Sequence, residues 1–304
     1  MENNHDEIRN MELAIVRTIA FFDLFDYPLT SYEVWQYLSI KTDLKTVNNV
    51  LWHGILGISS RHGFYCLAGK EGLVEIRMNR YNYTDEKMKI ALRIVRFFKF
   101  IPWIKMIAIA NSIGSHNLRS SGDIDFFIIT RPNRIWLTRL FCAGSMKLMN
   151  LRPTEKNKKN KICLSFYTTT DNLDLSSLRI EDDIKFNYWA SFLVPIFDTS
   201  STYEKLVSAN AWLINIFPNR IPLPMSFKRR INSRRKDRVN MLFNYLEKLA
   251  ARFQYAIMPK ALKESMNRDN RVIINDGMLK LHVTDNREIY RDRFKEIMKK
   301  YEEV

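Results

Sequence analysis

Apolar residues recur at helical spacing near the start of the chain. Leu13, Val16, Ile19, Ala20 and Leu24 share one face, and the run stops at Asp26-Tyr27-Pro28. Ser31 is placed to cap a short amphipathic segment over 32–38, and 44–55 (LKTVNNVLWHGI) reads as a third helix. Residues 63–67 (GFYCL) then read as a strand, Gly-Lys-Glu-Gly as a turn, and 73–78 (LVEIRM) as the partner strand. Thr84-Asp85-Glu86 has the composition of a helix start, and apolar residues follow at Met88, Ala91, Leu92, Val95 and Phe98, predicting a helix over 84–100. Beyond Pro102 the pattern changes to short apolar runs: 105–110 (KMIAIA), 123–130 (DIDFFIIT) and 162–167 (ICLSFY) read as buried strands, with an amphipathic helix over 135–149 between the last two. Further on, 182–197, 203–216, 239–258 and 291–301 have helical spacing, with Trp189 and Trp212 expected in the core. Residues 273–278 form either a hairpin turn or a loop, and His282 is expected at the surface.

Three short helices ahead of a two-stranded hairpin follow the order of a winged-helix module. Such modules bind DNA through the third helix or merely hold domains together. Here that helix offers Lys45, Asn48, Asn49 and His53 as polar contacts.

Composition adds a partner class. The chain has 304 residues, 46% hydrophobic and 27% charged, with a formal net charge of +15, an excess that attracts polyanions such as nucleic acid, nucleoside triphosphate or an anionic membrane surface. The charge is densest over 152–161 and 220–238, which lack apolar periodicity, contain proline and read first as exposed loops. The longest apolar stretch, 90–113, is interrupted by Arg93, Arg96, Lys99 and Lys105, so no transmembrane segment is expected. Residues 1–10 lack the basic start and apolar run of a secretory signal, and a cytoplasmic location is expected. Cys66, Cys142 and Cys163 are too widely spaced to suggest a disulfide framework or a zinc site.

Candidate chemistry gathers at one place. Residues two apart on a strand share a face, so Asp123 and Asp125 point together while Ile124 points away. Two carboxylates so placed either cap a strand end in solvent or bind hard cations such as Mg2+ or Mn2+ through oxygen. Upstream, Gly114 permits close backbone approach to a phosphate, and Ser115 can donate its hydroxyl.

The run over 106–130, an apolar strand, Gly114-Ser115, a polar loop and then Asp123-Ile124-Asp125 in a second strand, resembles the DNA polymerase β nucleotidyltransferase superfamily. The stretch RSSGDID over 119–125 is especially similar to the family pattern. The resemblance implies that Gly114 and Ser115 meet a nucleoside triphosphate, that Asp123 and Asp125 bind Mg2+ or Mn2+, and that a nucleoside monophosphate passes to an acceptor hydroxyl on nucleic acid, protein or a small molecule. Two departures stand out. The loop ahead of Asp123 is short for the family, and the third carboxylate expected on the next strand is absent, Ser165 occupying that region; Asp171, and after it Asp174, are the nearest substitutes.

The expected architecture is α+β in three parts: a winged-helix-like module over 1–83, a nucleotidyltransferase core over 84–178 and a helical C-terminal region over 179–304. A rival reading, favoured by the missing third acid, is a protein that keeps the fold without catalysis and acts as a nucleic-acid-binding or regulatory module. Peripheral membrane attachment lacks a strong amphipathic basic helix.

Overall fold

The first apolar stripe becomes helix α1 (Glu2–Asp23), which buries Ile15, Ile19 and Phe22. The computed structural model describes residues 2–110, 120–222, 231 and 242–302. A two-residue strand, β1 (Leu29–Thr30), leads into α2 (Ser31–Gln36), and its cap is Thr30 rather than Ser31. The Thr30 hydroxyl accepts from the Glu33 amide at 3.3 Å, while Glu33 Oε2 accepts from the Thr30 amide at 2.8 Å, closing a capping box. Asp43 caps α3 (Leu44–His53), accepting from the Thr46 amide at 2.9 Å.

The hairpin forms one strand earlier than its sequence suggests. β2 (Ile58–Arg61) pairs antiparallel with β3 (Phe64–Leu67) around His62-Gly63, both at positive φ, the turn geometry that matches strand twist. β1 adds to the other side, giving the order β1-β3-β2. Residues 73–78, expected as a strand, instead open the long helix α4 (Leu73–Phe98). No helix begins at Thr84: its hydroxyl donates to the Arg80 carbonyl at 2.9 Å within α4. The inner face of this helix carries Arg77, Arg80, Thr84 and Lys87, all buried, so no apolar stripe advertises its first half. Arg77 is compensated by Glu33, which accepts from it at 2.8 and 2.9 Å, and by the faces of Tyr27 and Phe64 at 4.1 and 4.6 Å. The expected division at 83/84 therefore falls inside one continuous helix.

Next come β4 (Ile104–Ile109), β5 (Ile124–Thr130), α5 (Ile135–Leu148) and β6 (Ile162–Thr169). The run over 182–197, expected as a single helix, divides into α6 (Ile184–Ser191) and an edge strand β7 (Val194–Asp198), where Pro195 is tolerated because an edge strand need not donate on its open side. The run over 203–216 likewise breaks into α7 (Thr202–Ala209) and α8 (Trp212–Ile216) at Asn210, whose buried side chain accepts from the Leu175 amide at 2.9 Å and donates to the Leu173 carbonyl at 2.7 Å. After α9 (Leu242–Ala256) and α10 (Lys260–Ser265), the pair β8 (Val272–Ile274) and β9 (Met278–Leu281) forms the hairpin, and α11 (Arg287–Glu302) follows.

The larger sheet is mixed, in the order β7-β4-β5-β6-β9-β8, with β5 and β6 parallel and every other neighbour antiparallel. The protein is thus α+β. The C-terminal region is not merely helical, since β7, β8 and β9 complete the sheet. Strand alternation divides the core: Ile107, Ile109, Ile124 and Ile128 face α4, α5 and α9, while Met106, Ala108, Phe127 and Ile129 face α6 and α7. A third cluster joins α1 to α3 with α6, α8 and α11, and in it Phe21 stacks on Tyr188 at 3.9 Å. Glu247 of α9 caps α5 from outside, its carboxylate accepting from the amides of Trp136 and Leu137 at 2.8 and 2.9 Å. Among the described residues no helix is long and apolar enough to cross a membrane.

Candidate functional site

Asp125 lies on β5, and Asp123 immediately precedes it; both are half-buried. The Asp125 carbonyl accepts from the Ala110 amide of the β4 side at 3.0 Å, and the register sets Asp125 beside Cys163 on β6. The approach to Asp123 is held from α4: the buried Lys87 ammonium donates to the Gly122 carbonyl, and to Asn160 Oδ1 at 3.0 Å. Burial lowers the Lys87 pKa, with Glu86 and Asp123 pulling the other way.

Ligand atoms of Asp123, Asp125 and Cys163 lie within 4.8 Å of one another. The Cys163 thiol is pushed up by burial first, then by the Asp125 carboxylate, which also accepts its proton. Two carboxylates suit a hard, oxygen-seeking cation that completes its shell with water and phosphate oxygens, whereas a soft sulfur is a poor partner for it. The residues present therefore fit one Mg2+ or Mn2+ ion, and among the described residues no third carboxylate joins the cluster.

Asp171 does not supply it. β6 runs on to Thr169, so about 20 Å of strand separates Cys163, beside Asp125, from the far end where Asp171 lies exposed. Asp174, further on, accepts from the Ser176 amide at 2.8 Å in a local turn. Gly114 and Ser115 lie outside the described residues.

Asp123 and Asp125 border a cleft of about 670 Å³, within the range of small-molecule sites. Its walls come from all three expected parts of the chain: Phe21 and Phe25 near α1, Asp123, Asp125 and Ser165 on the sheet, and residues 280–287 before and at α11. Trp189 stacks with Phe166 and Phe186 at 5.3 and 5.2 Å, so its expected role in packing holds, here as part of the cleft wall. Cationic residues oppose the acids. Lys280 is lowered to about 8, chiefly by burial and then by Arg287, and Lys185 is lowered by burial. Arg287 donates to Asp183 and Asp285 at 2.7 Å each.

The residue that sequence reasoning misplaced is His282. It is half-buried rather than a free surface group. The antiparallel pairing of β6 with β9, with Phe166 opposite Lys280, brings it to Ser165, whose Oγ lies 2.8 Å from His282 Nε2. Burial, then the charge of Lys280, lowers its pKa to about 4, so the ring is neutral near pH 7. Ser165 Oγ also lies 3.2 Å from Cys163 Sγ. A run of polar contacts thus extends from Asp125 through Cys163 and Ser165 to His282, and all four line the cleft.

No family model, curated protein or solved structure matches the chain.

Proposed function

We propose that the cleft binds a nucleoside triphosphate together with Mg2+ or Mn2+, and that the protein is a nucleotidyltransferase. The observation that carries this reading is the convergence of Asp123 and Asp125 at the border of the cleft, and the β4-β5-β6 order is compatible with the polymerase β-like core expected from the sequence. Asp123 and Asp125 hold the ion, which when bound supplies charge stabilisation at the phosphoryl oxygens. Lys185 and Lys280 face the opposite charge of the substrate, and an anion beside Lys280 favours its protonated form. The apolar wall around Phe166 and Trp189 excludes water from the reacting groups.

A second reading, nucleotide binding without transfer, draws on the strand beside Asp125 offering Cys163 and then Ser165 but no carboxylate. One experiment separates the two. Asp123→Asn and Asp125→Asn each remove a metal-binding charge while keeping side-chain shape, so each is expected to abolish Mg2+-dependent nucleotide binding in calorimetry with little change in melting temperature. Transfer of α-labelled nucleotide by the wild type supports the transferase. Metal-dependent binding with no label on any product supports the silent form, and absence of binding refutes both.

A further inference from the structure

Resting on the nucleotidyltransferase reading, we infer that the cleft carries its own acceptor: Ser165, paired with His282, receives the nucleotidyl group on its hydroxyl, and the chain modifies itself.

Three observations converge on Ser165. It shares with Cys163 the cleft-facing side of β6, two residues along from the position beside Asp125, so its hydroxyl stands on the strand next to the metal-binding carboxylates. Its Oγ lies 2.8 Å from His282 Nε2, the separation of a nucleophile from its base. His282 is uncharged near neutral pH, because burial and the neighbouring cations Lys280, Arg287 and Lys185 outweigh Asp285; a neutral imidazole has one nitrogen able to accept the serine proton. The Tyr188 phenol on the same cleft is a poorer candidate, its pKa raised by complete burial.

The step balances within the cleft. The Ser165 Oγ lone pair forms a bond to the α-phosphorus, and the bond from that phosphorus to the bridging oxygen breaks, its electron pair leaving on pyrophosphate. The hydroxyl proton passes to His282 Nε2, whose protonated form the negative charge of the bound triphosphate favours, and then to water. The product is a phosphodiester between Ser165 and the nucleoside. His282 thereby takes the proton-accepting role that the absent third acid would have in the family this chain resembles.

The test uses the full chain, Mg2+ and the four ribonucleoside triphosphates, each labelled at the α-phosphorus, with no added acceptor. Wild type is expected to retain α-label after denaturing electrophoresis and none from γ-labelled nucleotide, and mass spectrometry should map the adduct to the peptide containing Ser165. Ser165→Ala is expected to lose the label while melting at the wild-type temperature. His282→Gln should label at least about 100-fold more slowly, the usual scale of a lost general base. Mapping on unaltered protein keeps the test independent of whether either variant folds. Undiminished labelling of Ser165→Ala, or an adduct on another residue, overturns the inference. If the wild type binds nucleotide with Mg2+ and labels only an added acceptor, the inference falls and the transferase reading stands. If it binds no nucleotide, both fall.

Discussion

Lowering the pH should weaken this protein through one imidazole. His282 sits between Ser165 and the edge of Phe166, its ring centroid 6.4 Å from that of Phe166, with Lys280, Arg287, Lys185 and Asp285 as its charged neighbours. Its folded pKa is about 4 against an ordinary 6.5, so between those values the unfolded chain binds a proton that the native state refuses. The group has no effect above about pH 6.5, and its neutral form is increasingly penalised as pH falls, until the native ring also titrates near 4. At about 1.4 kcal/mol per pKa unit, the full difference amounts to about 3 kcal/mol, of which about 2 kcal/mol is lost by pH 5. Other groups titrate over the same range, so the quantity to measure is a difference. Urea unfolding of wild type and His282→Gln is compared at about pH 7.5 and about pH 5; glutamine keeps a hydrogen-bonding group near Ser165 but does not titrate. Wild type should lose about 2 kcal/mol more than the variant. Equal losses in the two proteins would refute the argument, and with it the claim that the native state holds His282 neutral.

Two further perturbations test the packing around the site. Arg77→Met strands the Glu33 carboxylate among Tyr27, Thr30 and the head of α2, and should cost about 3 to 5 kcal/mol in denaturant unfolding; Lys at this position should not restore it, since an ammonium cannot reproduce the two-oxygen contact. Glu247→Ala leaves the amides of Trp136 and Leu137 without their acceptors and should cost about 2 to 3 kcal/mol by the same measurement, with Glu247→Gln losing roughly half because one acceptor oxygen remains.

What could be read in the chain, and what could not, follows from how locally each feature is encoded. The strand of Asp125 was legible because the apolar run Phe126-Phe127-Ile128-Ile129 lies between Gly122 and Arg131-Pro132, and the spacing of two acids is itself a statement about faces. α4 was half hidden because its buried face is built from charged side chains neutralised by partners far away in sequence, so its first turns imitate a strand. β7 was lost because residues 188–197 are apolar apart from Ser191, which hides a change from helix to edge strand. Asp171 was a reasonable substitute acid only if β6 stopped near residue 167; two further residues of strand carry it away from the site. The Ser165–His282 contact had no local signature, since only the pairing of β6 with β9 creates it. Its one sequence-level trace was that Ser165 occupies the place where an acid was sought.

The packing of α11 against α1 has a consequence for how the protein is made. α1 is synthesised well before its partners: the cluster that buries Phe21 and Phe22 is completed by Tyr188 of α6 and by Phe294 and Met298 of α11. The ring of Tyr301 closes the same seam, lying where a side chain on Gly57 would have to go. A nascent chain therefore carries an unfinished, aromatic-rich surface from the synthesis of α1 until α11 has emerged to seal it. Such a surface is a natural target for holding factors during synthesis. Because the unfinished face includes Phe21 and Phe22, which line the cleft, the pocket is completed only when α11 docks.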